Sequence, residues 1–257
     1  MDDTNKKIGV FIIPSLLTTA NLFCGFYAII GIQKSDYTLA AIAILVGMLF
    51  DSLDGKVARL TNSSSRFGVE LDSLADLVSF GVAPGLLIYS WALNGYGRVG
   101  WLAVFLFVAC GAIRLARFNT RAASAPNKYF TGLPIPAAAG LIAMTVIFDN
   151  HMLKMGEEVR PIVMLVMTYI LAYLMVSTIK YRSFKDVHLG EKKPLSTFIA
   201  AVLMLIIIVA EPQIMLFALF ALYASLGPSE RFFVPVIKVI YKKIHPGGNY
   251  IAKNKNI

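Results

Sequence analysis

The sequence predicts an all-α integral membrane protein, a polytopic bundle of about eight transmembrane helices built on a six-helix core. Three observations carry that expectation. Mean hydropathy is +0.69 and 57% of the 257 residues are hydrophobic, which suits lipid better than water as the main solvent. The apolar residues gather in runs long enough to cross a bilayer, separated by short polar connections. With eight spans and both ends on one side, 20 of the 24 Lys and Arg share that side, the asymmetry expected of cytoplasmic loops. A net charge of +9 would suggest nucleic acid in a soluble protein; here it fits those loops and anionic lipid headgroups, with no nucleic-acid partner.

Taken in order, a short polar tail precedes a first span of roughly 10–32, interrupted by Pro14. Its apolar part is long for a signal core and lacks a small-x-small cleavage site, so it reads as a retained helix. Asn21 within it reads as a helix–helix hydrogen-bonding residue. The second span, roughly 38–57, ends in acids, and the third, roughly 70–93, begins with them, with Pro84 expected to kink it. Asn94 to Gly97 reads as a tight turn into a fourth span of roughly 99–118. Gly132-Leu-Pro134-Ile-Pro136 restricts the entry to a fifth, roughly 137–149 with its flanks. A mixed-charge loop leads to a sixth, roughly 161–179, and a basic loop follows. The block 195–226 is divided by Glu211-Pro212-Gln213 into a hairpin of two shorter helices, and residues 227–257 read as a basic tail on the membrane surface. The whole is one membrane domain, with 1–194 as its six-helix core. Cys24 and Cys110 fall inside spans, so they read as packing residues, and the three His are scattered over loops.

The chemistry concentrates between residues 51 and 76. Asp51 and Asp54 lie three apart and Asp72 and Asp76 four apart, so each pair shares a helix face. Two helices facing each other with such pairs make a cage of hard oxygen ligands, and like charges that close need a cation between them. Mg²⁺ or Mn²⁺, as one ion or two, is the expected occupant. Intramembrane acids also form ion or proton pathways in transporters, and on the carboxylates alone the two readings stand level. Their neighbours favour the metal site. Gly55 removes a side chain where a ligand could press on the backbone, and Arg59 supplies a fork suited to phosphate. Gly68 opens space near the start of the second acidic helix, where an anion is favoured. Further along, Arg114 and Arg117 share a helix face, as do Arg117 and Arg121, on the side that holds the acids. Snorkelling cations would look similar, but three on one stripe point to an anion pocket.

Asp51-x2-Asp54-Gly55-x2-Ala58-Arg59-x8-Gly68-x3-Asp72-x3-Asp76 resembles the signature of the CDP-alcohol phosphatidyltransferases at eight fixed positions. Pro14 to Asn21 is similar to the first-helix pattern that borders the nucleotide in that family, with Ser15 where Asn is common. Ile113 to Asn119 and Thr131 to Pro134 resemble the segments that mark its phosphatidylserine synthase branch. The resemblance covers roughly the first 140 residues. It implies catalysis within the six-helix core, in which an alcohol displaces CMP from a CDP-linked lipid at the cytoplasmic face of the cell membrane. CDP-diacylglycerol and L-serine would be the substrates, and a homodimer the assembly. It further implies Asp51, Asp54, Asp72 and Asp76 as metal ligands, Asp76 as the general base, and Gly55, Arg59, Ser65 and Gly68 against the CDP lipid. Arg114, Arg117 and Asn119 would meet the acceptor. Glycerol phosphate, inositol or inositol phosphate as acceptor, or an ether-lipid donor, would leave the same pattern, and a cation- or proton-coupled transporter is the rival of another class.

Overall fold

Small residues set the first packing decision. Helices α1 (Asp3–Gln33) and α2 (Tyr37–Leu60) form a hairpin whose seam carries Ala40, Ala41, Ala43 and Gly47 against the face of Asn21, Cys24 and Ala28. In lipid, where apolar burial alone does not drive helices together, such close backbone approach supplies the dispersion contacts. The turn between them places Ser35 at φ 59°, and the Asp36 side chain caps α2 by accepting from the Leu39 N–H at 2.9 Å. The computed structural model describes residues 3–61, 65–122, 129–182 and 211–244. Among them are six helical runs long and apolar enough to cross a membrane, so the protein is an all-α polytopic bundle.

The longest run, Arg66–Thr120, doubles back on itself. It begins as α3 (Arg66–Asp76), passes through a π-helical turn at Leu77–Val82, continues as α4 (Ala83–Ile88) and widens again at Tyr89–Leu93. Gly97, at φ 52°, then starts α5 (Gly97–Ala122), which packs antiparallel so that Gly85 faces Val104 and Val108. Pro84 was expected to kink this segment. A π-helical turn lies immediately before it, where the Ala83 N–H bonds back to the Val78 carbonyl five residues earlier. The helix also starts four residues sooner than the hydropathy implied, because Ser65 caps it: its Oγ accepts from the Gly68 N–H at 3.0 Å.

Helix α6 (Ile135–Phe148) is the centre of the bundle, buried from Ala137 to Ile147 on every side. It is ringed by α2, α7 (Val159–Val176) and α8 (Pro212–Ile244), with Phe80, Leu87, Phe107, Met164 and Leu171 filling the core. An antiparallel ribbon that hydropathy had no means to signal joins β1 (Tyr129–Thr131) to β2 (Lys180–Arg182), pairing Phe130 with Tyr181. Helix α8 runs through Gly227-Pro228, where the sequence reading ended the helix. Pro228 has no N–H to offer the Ala224 carbonyl, and the Tyr181 hydroxyl donates to that carbonyl at 3.2 Å instead. The first arm of the expected hairpin, 195–210, lies outside the described residues, as does the tail beyond 244. At the end of the bundle away from the acids, the fully buried Asp149 carboxylate pairs with Arg160 Nε at 3.1 Å, and that guanidinium lies 5.0 Å from the centre of the Trp91 ring.

Candidate active site

Three helices converge on the acids. Helix α2 contributes Asp51 and Asp54 from its last turns, α3 contributes Asp72 and Asp76, and α1 contributes the polar side chains that orient two of them. One oxygen each from Asp51, Asp72 and Asp76 lies within 4.8 Å of the others. Asp76 and Asp54 are buried, at 7% and 5% exposure, and Asp72 Oδ1 is buried with no hydrogen-bond partner. A negative oxygen held dry and unpaired is costly unless a cation meets it, so the donor set fits a hard divalent ion. Asp54 stands beside this triad rather than in it, and accepts a hydrogen bond from Thr18 Oγ1 at 2.9 Å. Asn21 Nδ2 donates to Asp76 Oδ1 at 3.2 Å, which gives the interhelical polar residue of the sequence a specific partner.

A groove of about 190 Å³ opens on the triad's flank. Its lining brings together Gly55, Arg59, Ser65 and Gly68 with Asp54 and Asp72, and adds Pro14, Ser15 and Thr18 from α1. The residues expected around the CDP lipid therefore share one surface. A Cβ on Gly55 would meet nothing within 4 Å, so the glycine leaves open room there. The groove also takes in the N-terminal end of α3, whose dipole favours an anion, with Arg59 at its wall. Thr18 falls within the Pro14–Asn21 segment that resembles the family's nucleotide-bordering pattern; its tie to Asp54 depends on how α1 packs, which spacing within α1 cannot reveal.

The three residues expected at the acceptor part company. Arg114 is buried at 7% exposure, near enough to Asp76 and Asp51 to feel their charge, and its Nε has no hydrogen-bond partner. Arg117 donates to the Val176 carbonyl at 3.0 Å and the Thr131 carbonyl at 2.8 Å, and also reaches Met175 and Ser177 at 3.3 Å. Asn119 Nδ2 donates to Ser73 Oγ at 2.8 Å. The side chains of Arg121 and Lys128 lie outside the described residues.

A carboxylate cluster fit for a cation, beside a half-open groove at a lipid boundary, suits a membrane enzyme that works on a phosphate ester. The chain belongs to the CDP-alcohol phosphatidyltransferase family, whose model matches residues 11–174. It is 37% identical over 236 residues to the CDP-diacylglycerol–serine O-phosphatidyltransferase of Helicobacter pylori, covering 91% of this chain and 96% of that protein. The protein of the same name from Bacillus subtilis is 39% identical over 173 residues, covering 67% of this chain and 91% of its own. The archaetidylserine synthase of Methanothermobacter thermautotrophicus is 44% identical over 142 residues, covering 54% and 60%.

Proposed function

We propose that this enzyme transfers the phosphatidyl group of CDP-diacylglycerol to the hydroxyl of L-serine, forming phosphatidylserine and releasing CMP. The observation that carries the reading is the contiguity of the Asp51–Asp72–Asp76 cluster with the groove lined by Gly55, Arg59, Ser65 and Gly68. The names of all three relatives include serine, while the lipid named with it differs between the bacterial and archaeal proteins. The diacyl donor is favoured because the Helicobacter match spans nearly the whole of both chains.

In this reading Asp51, Asp72 and Asp76, with Asp54 at their side, hold Mg²⁺ or Mn²⁺ as a pair of ions. Metal held there would supply positive charge to offset the pyrophosphate and the charge that develops as CMP departs. Arg59 and the cap of α3 grip the nucleotide side. Arg114, whose buried Nε–H has no hydrogen-bond partner, faces the serine carboxylate. Asp76 takes the proton from the serine hydroxyl as its oxygen attacks the lipid-linked phosphorus; the new P–O bond forms, the bond to CMP breaks, and CMP carries off the electron pair. Asn21 holds the Asp76 carboxylate in place for that transfer. The cation asymmetry supports eight crossings with the site and both termini at the cytoplasmic face, the hairpin within Arg66–Thr120 counting twice and the apolar stretch 195–210 of the sequence, outside the described residues, counted as the eighth.

The test is CMP release by the detergent-purified protein from CDP-diacylglycerol, with serine, inositol, inositol phosphate and glycerol phosphate supplied in turn. Serine should support turnover alone among the four, and only with Mg²⁺ or Mn²⁺ present. Turnover with another acceptor would reassign the Arg114 side of the site, and metal-independent turnover would remove the role given to the acids.

A further inference from the structure

Ser73 sits in the sequence between Asp72 and Asp76, on a helix of only eleven residues. Its hydroxyl donates to the Val69 carbonyl at 3.1 Å, leaving lone pairs outward, and one of these accepts from Asn119 Nδ2. Asn119 lies two residues beyond Arg117, whose guanidinium bonds four carbonyls at the end of α7 and on β1. Gly132, at φ 83°, leaves room for that guanidinium and for the Met175 carbonyl, and its N–H ties β1 to Ile179. A continuous polar chain thus runs from α7 through Arg117 and the end of α5 to Asn119, Ser73 and α3.

We propose that Asn119 and Ser73 are positioning residues, fixing the rotation of α3 and thereby the spacing of Asp72 and Asp76 from Asp51, with Arg117 anchoring the arm that holds them. The inference rests on the metal reading of the acids given above. At 100° per residue, Asp72 and Asp76 both lie on the same side of Ser73, about 100° and 60° away. Turning α3 at Ser73 therefore carries both carboxylates the same way. At a side-chain radius of about 5–6 Å, a rotation of about 10° moves them by about 1 Å. Metal–oxygen distances tolerate only about 0.2 Å, so a lost tie at Ser73 is felt at the ion.

The experiment compares wild type, Asn119→Ala, Ser73→Ala, their double variant and Ser73→Thr, each purified in detergent. Free Mn²⁺ is followed by electron paramagnetic resonance without substrate, and KM for serine is measured at saturating Mn²⁺. Either alanine should weaken Mn²⁺ binding about three- to tenfold, the worth of one such hydrogen bond. The double variant should be no weaker than the singles, Ser73→Thr should bind as wild type does, and serine KM should hold in Ser73→Ala. An Asn119→Ala protein with raised serine KM and unchanged Mn²⁺ affinity would make Asn119 an acceptor contact and overturn the proposal. So would additive losses in the double variant, or lower thermal stability with unaltered Mn²⁺ affinity. Wild-type protein that binds no Mn²⁺ would bring down the metal reading itself.

Discussion

Replacing Asp72 with Asn should make the metal-free protein harder to unfold while abolishing its activity. Oxygens of Asp51, Asp72 and Asp76 lie within 4.8 Å of one another, so each ionised pair repels by about 3.5 kcal/mol or more at an effective dielectric of about 20. Asp72→Asn removes two of those pairs, together about 7 kcal/mol or more if all three were fully ionised, a figure much reduced because the acids can take up protons and the side chains can rotate apart. Its Oδ1 has no hydrogen-bond partner, so the neutral amide sacrifices no observed bond at that atom. If about 2 kcal/mol survives, the unfolding midpoint in EDTA should rise by about 4–8 °C for a chain of this size. The assay is thermal unfolding in detergent, with EDTA and with Mg²⁺ or Mn²⁺. Wild type should gain stability from the divalent ion, and Asp72→Asn should gain little. A wild type indifferent to metal, together with an Asp72→Asn protein that unfolds earlier in EDTA, would refute the electrostatic reasoning.

Four other outcomes follow from the same geometry. Asp76→Asn should still bind the CDP lipid but release CMP at least 100-fold more slowly, as for loss of a general base, and near-normal turnover would rule Asp76 out of that role. Arg114→Gln should raise KM for serine about tenfold or more while leaving KM for CDP-diacylglycerol within about twofold, as expected for a lost charged hydrogen bond to one substrate; equal effects on both would place Arg114 elsewhere. Gly132→Ala should cost about 2 kcal/mol or more, read as a fall in unfolding midpoint, because a side chain at φ 83° would also crowd the Met175 carbonyl. Arg160→Gln should destabilise by about 3–5 kcal/mol by stranding the buried Asp149 carboxylate, yet leave kcat of the folded fraction unchanged, since that pair lies at the other end of the bundle.

The sequence disclosed what local spacing can disclose. Acids three and four apart share helix faces by geometry alone, and hydropathy placed α2, α5 and α7 to within a few residues, and α1 at its C-terminal end, though that helix begins seven residues sooner, at Asp3. Contacts between distant segments were out of its reach. Arg117 looked like a partner for Arg114 because both lie on one stripe; its donors are taken by carbonyls some 58–60 residues later, at a helix end that only the fold brings near. Thr18 and Asn21 gained their partners in the same way, across 36 and 55 residues. The ribbon escaped notice because three-residue strands carry no periodicity. Pro228 misled for a different reason: a proline normally ends a helix because a carbonyl is orphaned, and here a tyrosine from another element rescues it.

The most direct measurement is the anomalous difference density of crystals grown with Mn²⁺ and CDP-diacylglycerol. Manganese peaks are expected beside the carboxylates of Asp51, Asp72 and Asp76, with the nucleotide of the lipid in the groove between Gly55 and Gly68. Density with no manganese between these carboxylates, or with the CDP group bound elsewhere on the protein, would contradict this reading.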